Sequence, residues 1–161
     1  MKNINKYSRR KILKTSTAAA SALTLSVGFP TILKAENNIK IGVPTILSGR
    51  VAQLGISVSN ALNMAVDNFN KSGGLDGRNI ELIIRDSRAK PDEAARVCRN
   101  FINSDKVDAI INAEASGASF AVQEVIRESG TLCLHTVSET SRLTADPSIR
   151  AWNAFRFSRQ G

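Results

Sequence analysis

The sequence predicts an α/β fold: an open, mostly parallel sheet with helices on both faces. Two observations predict it. Short runs rich in Ile, Val and Leu alternate along the chain with segments whose apolar residues recur every three or four positions. The connections between them are also short, so successive strands must pair in parallel through right-handed crossovers. At 161 residues, with 42% hydrophobic and 22% charged residues, the composition is that of a globular chain. No internal repeat or low-complexity tract interrupts it.

The elements follow in order. Residues 39–46, Ile-Lys-Ile-Gly-Val-Pro-Thr-Ile, form the first strand. After a loop with Ser48-Gly49, the residues Val58, Ala61, Leu62, Ala65, Val66 and Phe69 fall on one helical face, and Gly73-Gly74 stops that helix. Asp76-Gly77 signals a tight turn before a second strand at residues 80–85. Pro91 and Asp92 open a second helix, whose apolar stripe runs through Ala94, Ala95, Val97, Cys98, Phe101 and Ile102. Residues 107–112 are a third strand, 117–129 a third helix and 131–135 a fourth strand. A final extended segment at 152–157 follows a loop with Asp146-Pro147, and its Trp152, Phe155 and Phe157 read as packing residues.

Charge locates a separate N-terminal unit. The net charge is +8, yet residues 1–35 hold seven basic and no acidic residues, leaving 15 basic against 14 acidic in the remainder. A nearly neutral body removes the electrostatic case for nucleic-acid binding, which rests on Lys and Arg neutralising phosphates. Within the basic segment, Ser8-Arg9-Arg10-Lys11-Ile12-Leu13-Lys14 precedes an Ala-rich apolar run from Thr15 to Phe29. This resembles a twin-arginine export signal, with cleavage expected near Ala35 and a periplasmic destination. The run is shorter than the ~20 residues a membrane-spanning helix needs.

In open parallel sheets, ligands bind beyond the carboxyl ends of the strands, where helix N-termini also point. The loops at 47–55, 86–92, 113–119 and 136–142 occupy that edge, and their Ser, Thr, Gly and Ala offer hydroxyls and amides without bulk. Ser116 and Ser119 flank the start of the third helix, as caps or as hydrogen-bond donors to an anionic ligand. Asp86 reads as a loop carboxylate paired with Arg85 or Arg88. Glu139 can meet a ligand ammonium or stay an exposed loop residue. His135 either faces the crevice or is a hydrogen-bonded structural histidine. Cys98 and Cys133 read as two buried small apolar groups, with a disulfide formed after export as the alternative. No nucleophile–base pair, metal-ligand spacing, Gly-x-Gly-x-x-Gly or Gly-Lys-Ser/Thr loop is legible, so neither an enzyme nor a cofactor is expected.

Leu47-Ser48-Gly49 after the first strand, then Asn70-Lys71-Ser72-Gly73-Gly74-Leu75-Asp76-Gly77-Arg78, Ile80-Glu81-Leu82, Asp86, Pro91 and Ala94, resemble the leucine/isoleucine/valine-binding family of periplasmic proteins. Ser116-Gly117-Ala118-Ser119 and residues 136–144 fall where that family carries Ser/Thr-rich ligand loops, and the resemblance spans about residues 39–157. It implies a type I binding-protein lobe and a site in which Ser116, helped by Ser119, holds the carboxylate of an amino-acid-like ligand. Val137, Ser138 and Glu139 would meet its other end, although Glu139 departs from the small residues and threonine usual there. The resemblance further implies a two-lobed clamp that closes on its solute and passes it to the permease and ATPase of an ABC importer. A chain of this length is expected to supply, in residues 36–161, only the N-terminal part of the first lobe. The competing readings are a ligand-sensing domain of the same fold and an exported enzyme whose cofactor motif lies elsewhere.

Overall fold

A computed structural model of the chain describes residues 38–159. The export signal read at residues 1–35 and its cleavage near Ala35 lie outside the described residues.

Five strands form: β1 (Ile39–Thr45), β2 (Ile80–Asp86) and β3 (Ala109–Asn112), where Ile and Val run together, then β4 (Leu132–His135) in a Leu-rich run and β5 (Ala154–Arg156). Between them lie α1 (Ala52–Lys71), α2 (Pro91–Asn100), α3 (Ser116–Ser129) and a single turn, α4 (Arg142–Ala145). Pro91 at the start of α2, Asp92 and Glu93 in its first turn and Arg99 in its last all favour a helix in that position and polarity. The stripe expected to continue through Ile102 instead passes into a π-helical turn, Phe101–Asp105, ended by Lys106 in a left-handed conformation. Asp76 (φ 51°) and Gly77 (φ 79°) make the expected tight turn, closed by paired backbone bonds of 2.9 Å between Leu75 and Arg78. Asn70 fastens the end of α1 to the start of β2, accepting from the Ile80 amide (2.8 Å) and donating to its carbonyl (2.9 Å).

The strands are all parallel, in the order β2-β1-β3-β4-β5. The chain runs outward from β1 to β2, then back across β1 to β3 and onward. With right-handed crossovers, that reversal places α1 on one face and α2 with α3 on the other. α2 and α3 pack against each other, and α1 against β2.

Register then dictates the core. Ile83, Gly42, Ile110, Cys133 and Ala154 stand side by side across the sheet, and four of the five pack with Val97, Cys98, Phe101, Val122 and Ile126. Gly42 is the exception in kind. A Cβ there would come within 2.7 Å of the Phe101 ring, so the missing side chain is the space the ring fills. Arg85 lies over the same ring, 5.0 Å from its centroid, and donates to Asp105 (3.0 Å) rather than to Asp86. Cys98 and Cys133 are free and fully buried, as the reading as small apolar groups requires. Burial pushes both thiols well above the ordinary range.

The opposite face is covered unevenly. Val43 is fully buried there, but Leu132 and Phe155 on β4 and β5 are exposed, as are Trp152 (81%) and Phe157 (72%). The expectation that the last aromatic trio packs inward is therefore overturned. Alternation along β5 turns Ala154 and Arg156 to the covered face and leaves Phe155 on the open one.

Because Phe101 has no room to retreat from a well-packed core, Gly42→Ala is expected to lower the unfolding free energy by about 1–3 kcal/mol. In urea denaturation, adding Phe101→Leu to that variant should cost less than the sum of the two single changes, since the smaller side chain relieves the same clash. Strict additivity would show that the two residues do not compete for one space.

Candidate functional site

One register step beyond the apolar row, toward the carboxyl ends of the strands, the same face becomes polar. Asn112, His135 and Arg156 are neighbours across β3, β4 and β5, and the first two are fully buried. Buried polar groups must find partners, and Asn112 Nδ2 and both ring nitrogens of His135 do so here, while Asn112 Oδ1 has none among the described residues. Asn112 Nδ2 donates to His135 Nδ1 (2.8 Å) and to Ser119 Oγ (2.8 Å). That leaves the imidazole proton on Nε2, which is donated to Gln123 Oε1 (2.8 Å), while Gln123 Nε2 donates to the carbonyls of Leu143 (3.0 Å) and Ile149 (3.3 Å). His135 is thus a structural histidine joining β3, β4, α3 and the α4 segment. Burial, with the Arg156 charge behind it, pushes its pKa down to about 4.

Above this layer the loops are tied to one another. The Glu114 carbonyl accepts from Ser119 Oγ (3.2 Å) and Ser138 Oγ (2.9 Å), and the two hydroxyls also meet each other. Thr136 donates twice to the Asn112 carbonyl, from its amide (3.1 Å) and its hydroxyl (3.3 Å). Ser158 Oγ donates to the Ser138 carbonyl. On the other side of the edge, Asp86 Oδ1 accepts the amides of Leu47 (2.9 Å) and Arg88 (2.8 Å). Burial raises this acid, but the Ser48 hydroxyl and those amides outweigh it and hold Asp86 below the ordinary range. Asp86 is a clamp between two loops and not the partner of the Arg85 side chain.

The strand order reverses between β1 and β3, whose following helices leave on opposite faces, so their carboxyl ends open a crevice. α3 begins beside it. Its N-cap, Ala115, has no side chain able to cap, and its first turn carries no acid, unlike that of α2. The positive end of that helix dipole is left uncompensated by protein groups.

The five residues singled out in the sequence converge on this edge, but at different depths. Ser116 and Val137 are half-buried and Glu139 is exposed, whereas Ser119 and Ser138 are fully buried beneath them. Ser116 is the first helical residue of α3 and not its cap. Glu139 Oε1 accepts from Arg159 Nε (3.1 Å), and its carbonyl from Arg156 (3.4 Å). Sequence reasoning missed Asn112, Glu114 and Gln123. Their signal was parity: Ile110, Asn112 and Glu114 share one face of the strand end, and Gln123 lies four residues beyond Ser119 on the buried face of α3. Among the described residues, no group of three or more His, Cys, Asp or Glu side chains is placed to hold a metal.

A histidine that refuses a proton when folded makes stability depend on pH. Between about pH 6.5 and 4 the unfolded chain takes up a proton that the folded one does not, so stability falls on acidification through that window, by about 3 kcal/mol in all. His135→Gln should lower stability at neutral pH but flatten this part of the profile in urea titrations. An unchanged slope would assign the acid sensitivity to other groups.

The fold is shared with known proteins. The family model described as Periplasmic binding protein matches residues 38–159. The chain is 31% identical over 132 residues to the Leu/Ile/Val-binding protein BraC3 of Rhizobium johnstonii, covering 82% of this chain and 34% of that protein. Among solved structures it is similar to the branched-chain amino acid transporter substrate-binding protein LivJ of Streptococcus pneumoniae in complex with isoleucine. That match has a TM-score of 0.70 and 29% identity, over 77% of this chain and 34% of the other. An ABC transporter substrate-binding protein from Sphaerobacter thermophilus matches with TM-score 0.70 and 31% identity, over 76% of this chain and 33% of that one. The chain spans about a third of the length of these relatives. With the family model matching all the described residues and the parallel sheet of its solved relatives beneath it, the chain belongs to the periplasmic binding proteins, of the Leu/Ile/Val-binding kind.

Proposed function

We propose that this chain is part of the first lobe of a substrate-binding component of an ABC importer, capturing a small polar solute: an amino acid or a related carboxylate or amide. One observation carries the reading. The uncapped, acid-free start of α3, with Ser116 half-open upon it, stands at the strand-order reversal beside the 136–141 loop. Such a helix start suits an anionic group, which the dipole and the free amides of the first turn would both stabilise. The relatives support an amino-acid cargo, being Leu/Ile/Val-binding proteins and, in one structure, a transporter protein holding isoleucine.

In this reading Ser116 Oγ and the neighbouring amides hold the ligand carboxylate. Ser119 and Ser138, too deep to be touched first, keep the two loops in register beneath it. Val137 and Glu139 meet the other end of the ligand. Glu139 would have to leave Arg159, which is inexpensive because an exposed ion pair is worth about 0–1 kcal/mol. Residues 1–35 direct export by the twin-arginine route, residues 36–161 form the periplasmic part, and the permease and ATPase receive the solute. Binding without chemical transformation fits a family of binding proteins.

With both lobes of the clamp present, a thermal-shift screen against amino acids, amides, short amines and aromatic acids should give a saturable rise in melting temperature with one class. Ser116→Ala should then weaken that ligand by about 1–3 kcal/mol in calorimetric titration, the cost of a lost charged hydrogen bond. Unchanged affinity would reduce Ser116 to the first residue of a helix. A folded protein that answers none of the panel would favour a ligand outside these classes.

A further inference from the structure

Glu114 is the least accommodated side chain at this edge. It is 0% exposed, and neither carboxyl oxygen has a hydrogen-bond partner among the described residues. A buried carboxylate without a donor is among the costliest arrangements in a folded protein. The groups facing it do not relieve the cost. From the end of β2 come Ser87, also fully buried, and the Asp86 carboxylate; from α2 comes Cys98, itself an acid. α3 and the 136–141 loop contribute the hydroxyls of Ser119 and Ser138, and these are spent on the Glu114 carbonyl. No Lys, Arg or His charge among the described residues acts on the carboxyl.

Its backbone is as central as its side chain is isolated. The Glu114 carbonyl receives both site serines, and Ala115 and Ser116, which begin α3, follow it directly. Any outward movement of the side chain must pull on that carbonyl and on the first turn of the helix.

We propose that Glu114 is a positioning residue for the ligand-facing start of α3, and that it acts as an un-ionised acid folded into the core. While it keeps its proton, the carboxyl stays between Ser87 and α2, and Ser119 and Ser138 hold their places. On ionisation, the carboxylate seeks water, and the 113–116 segment and the serine contacts loosen together. Burial first, and then repulsion from Asp86, hold the Glu114 proton above the ordinary carboxylate range; the Ser87 hydroxyl draws the other way without reaching hydrogen-bond geometry. The sign follows. Above the ordinary glutamate range the unfolded chain has lost a proton that the folded one retains. The folding equilibrium therefore weakens as pH rises, by up to about tenfold per pH unit, until the folded acid also ionises.

That this turn faces a ligand rests on the proposed function; the behaviour of the turn does not, and it can be measured with no ligand present. Hydrogen exchange of the full chain, expressed as protection over the intrinsic rate at each pH, should show residues 113–119 and 136–141 losing protection as pH rises from roughly 5 to 9. Glu114→Gln, neutral and of the same shape, should abolish that loss and gain stability over the wild type progressively with pH. The contribution of His135 is common to both proteins and cancels in the difference. Parallel profiles in wild type and variant would overturn the proposal. If the variant does not fold, the profile of His135→Gln decides, since with the opposing rise from His135 removed, protection that nowhere falls over this range also overturns it. Failure of the solute screen with the pH profile as expected would instead leave Glu114 in this role and remove the importer reading.

Discussion

The parallel register of β3, β4 and β5 is the constraint on which the remainder of this lobe depends. It sets Ile110, Cys133 and Ala154 in one row and Asn112, His135 and Arg156 in the next, on the same face. A slip of one residue in any of these strands would turn Asn112, His135 or Arg156 away from the face on which the partners of that row lie, and would put Ile111, Leu134 or Phe155 in its place. The first row supplies the burial that holds both helices on the sheet. The second fixes where the N-terminus of α3 lies, because that helix is pinned through Ser119 and Gln123 to Asn112 and His135. Core and site are therefore two consecutive layers of one alignment.

Much of this fold was legible in the sequence because its signals are local. Short apolar runs marked the first four strands, β-branched in three of them, Asp76-Gly77 the turn and Pro91 the second helix, and each forms where a few neighbouring residues favour it. The failures were of another kind. α4 is a single turn without apolar periodicity, and the π-helical turn at Phe101–Asp105 keeps the apolar spacing of α2 while changing its geometry. Trp152, Phe155 and Phe157 looked like core because aromatic residues usually are, yet which side of β5 is covered is decided by helices far away in sequence. At the site, Ser116 was visible as a serine near a helix start. The bond between Asn112 and His135 was not, since it joins residues 23 positions apart through a register that only the folded sheet defines.

The same distinction separates what is fixed at this edge from what can adjust. Ser119, Ser138, Asn112, His135 and Gln123 are buried and bonded to one another, and breaking any one link strands a partner without water, at about 1–3 kcal/mol. Glu139 and Arg159 stand outside this network, exposed and joined by one weak ion pair. The edge thus has a rim that reorganises cheaply over a base that does not. On the proposed function, specificity for one end of a ligand would change through the rim alone, by substitution at positions such as Val137 and Glu139, while the base beneath Ser116 is kept. Glu114 belongs to the base by burial but shares none of its hydrogen bonds through its side chain. With His135, it is consequently a point in that layer where a change as small as a single proton can act on the whole.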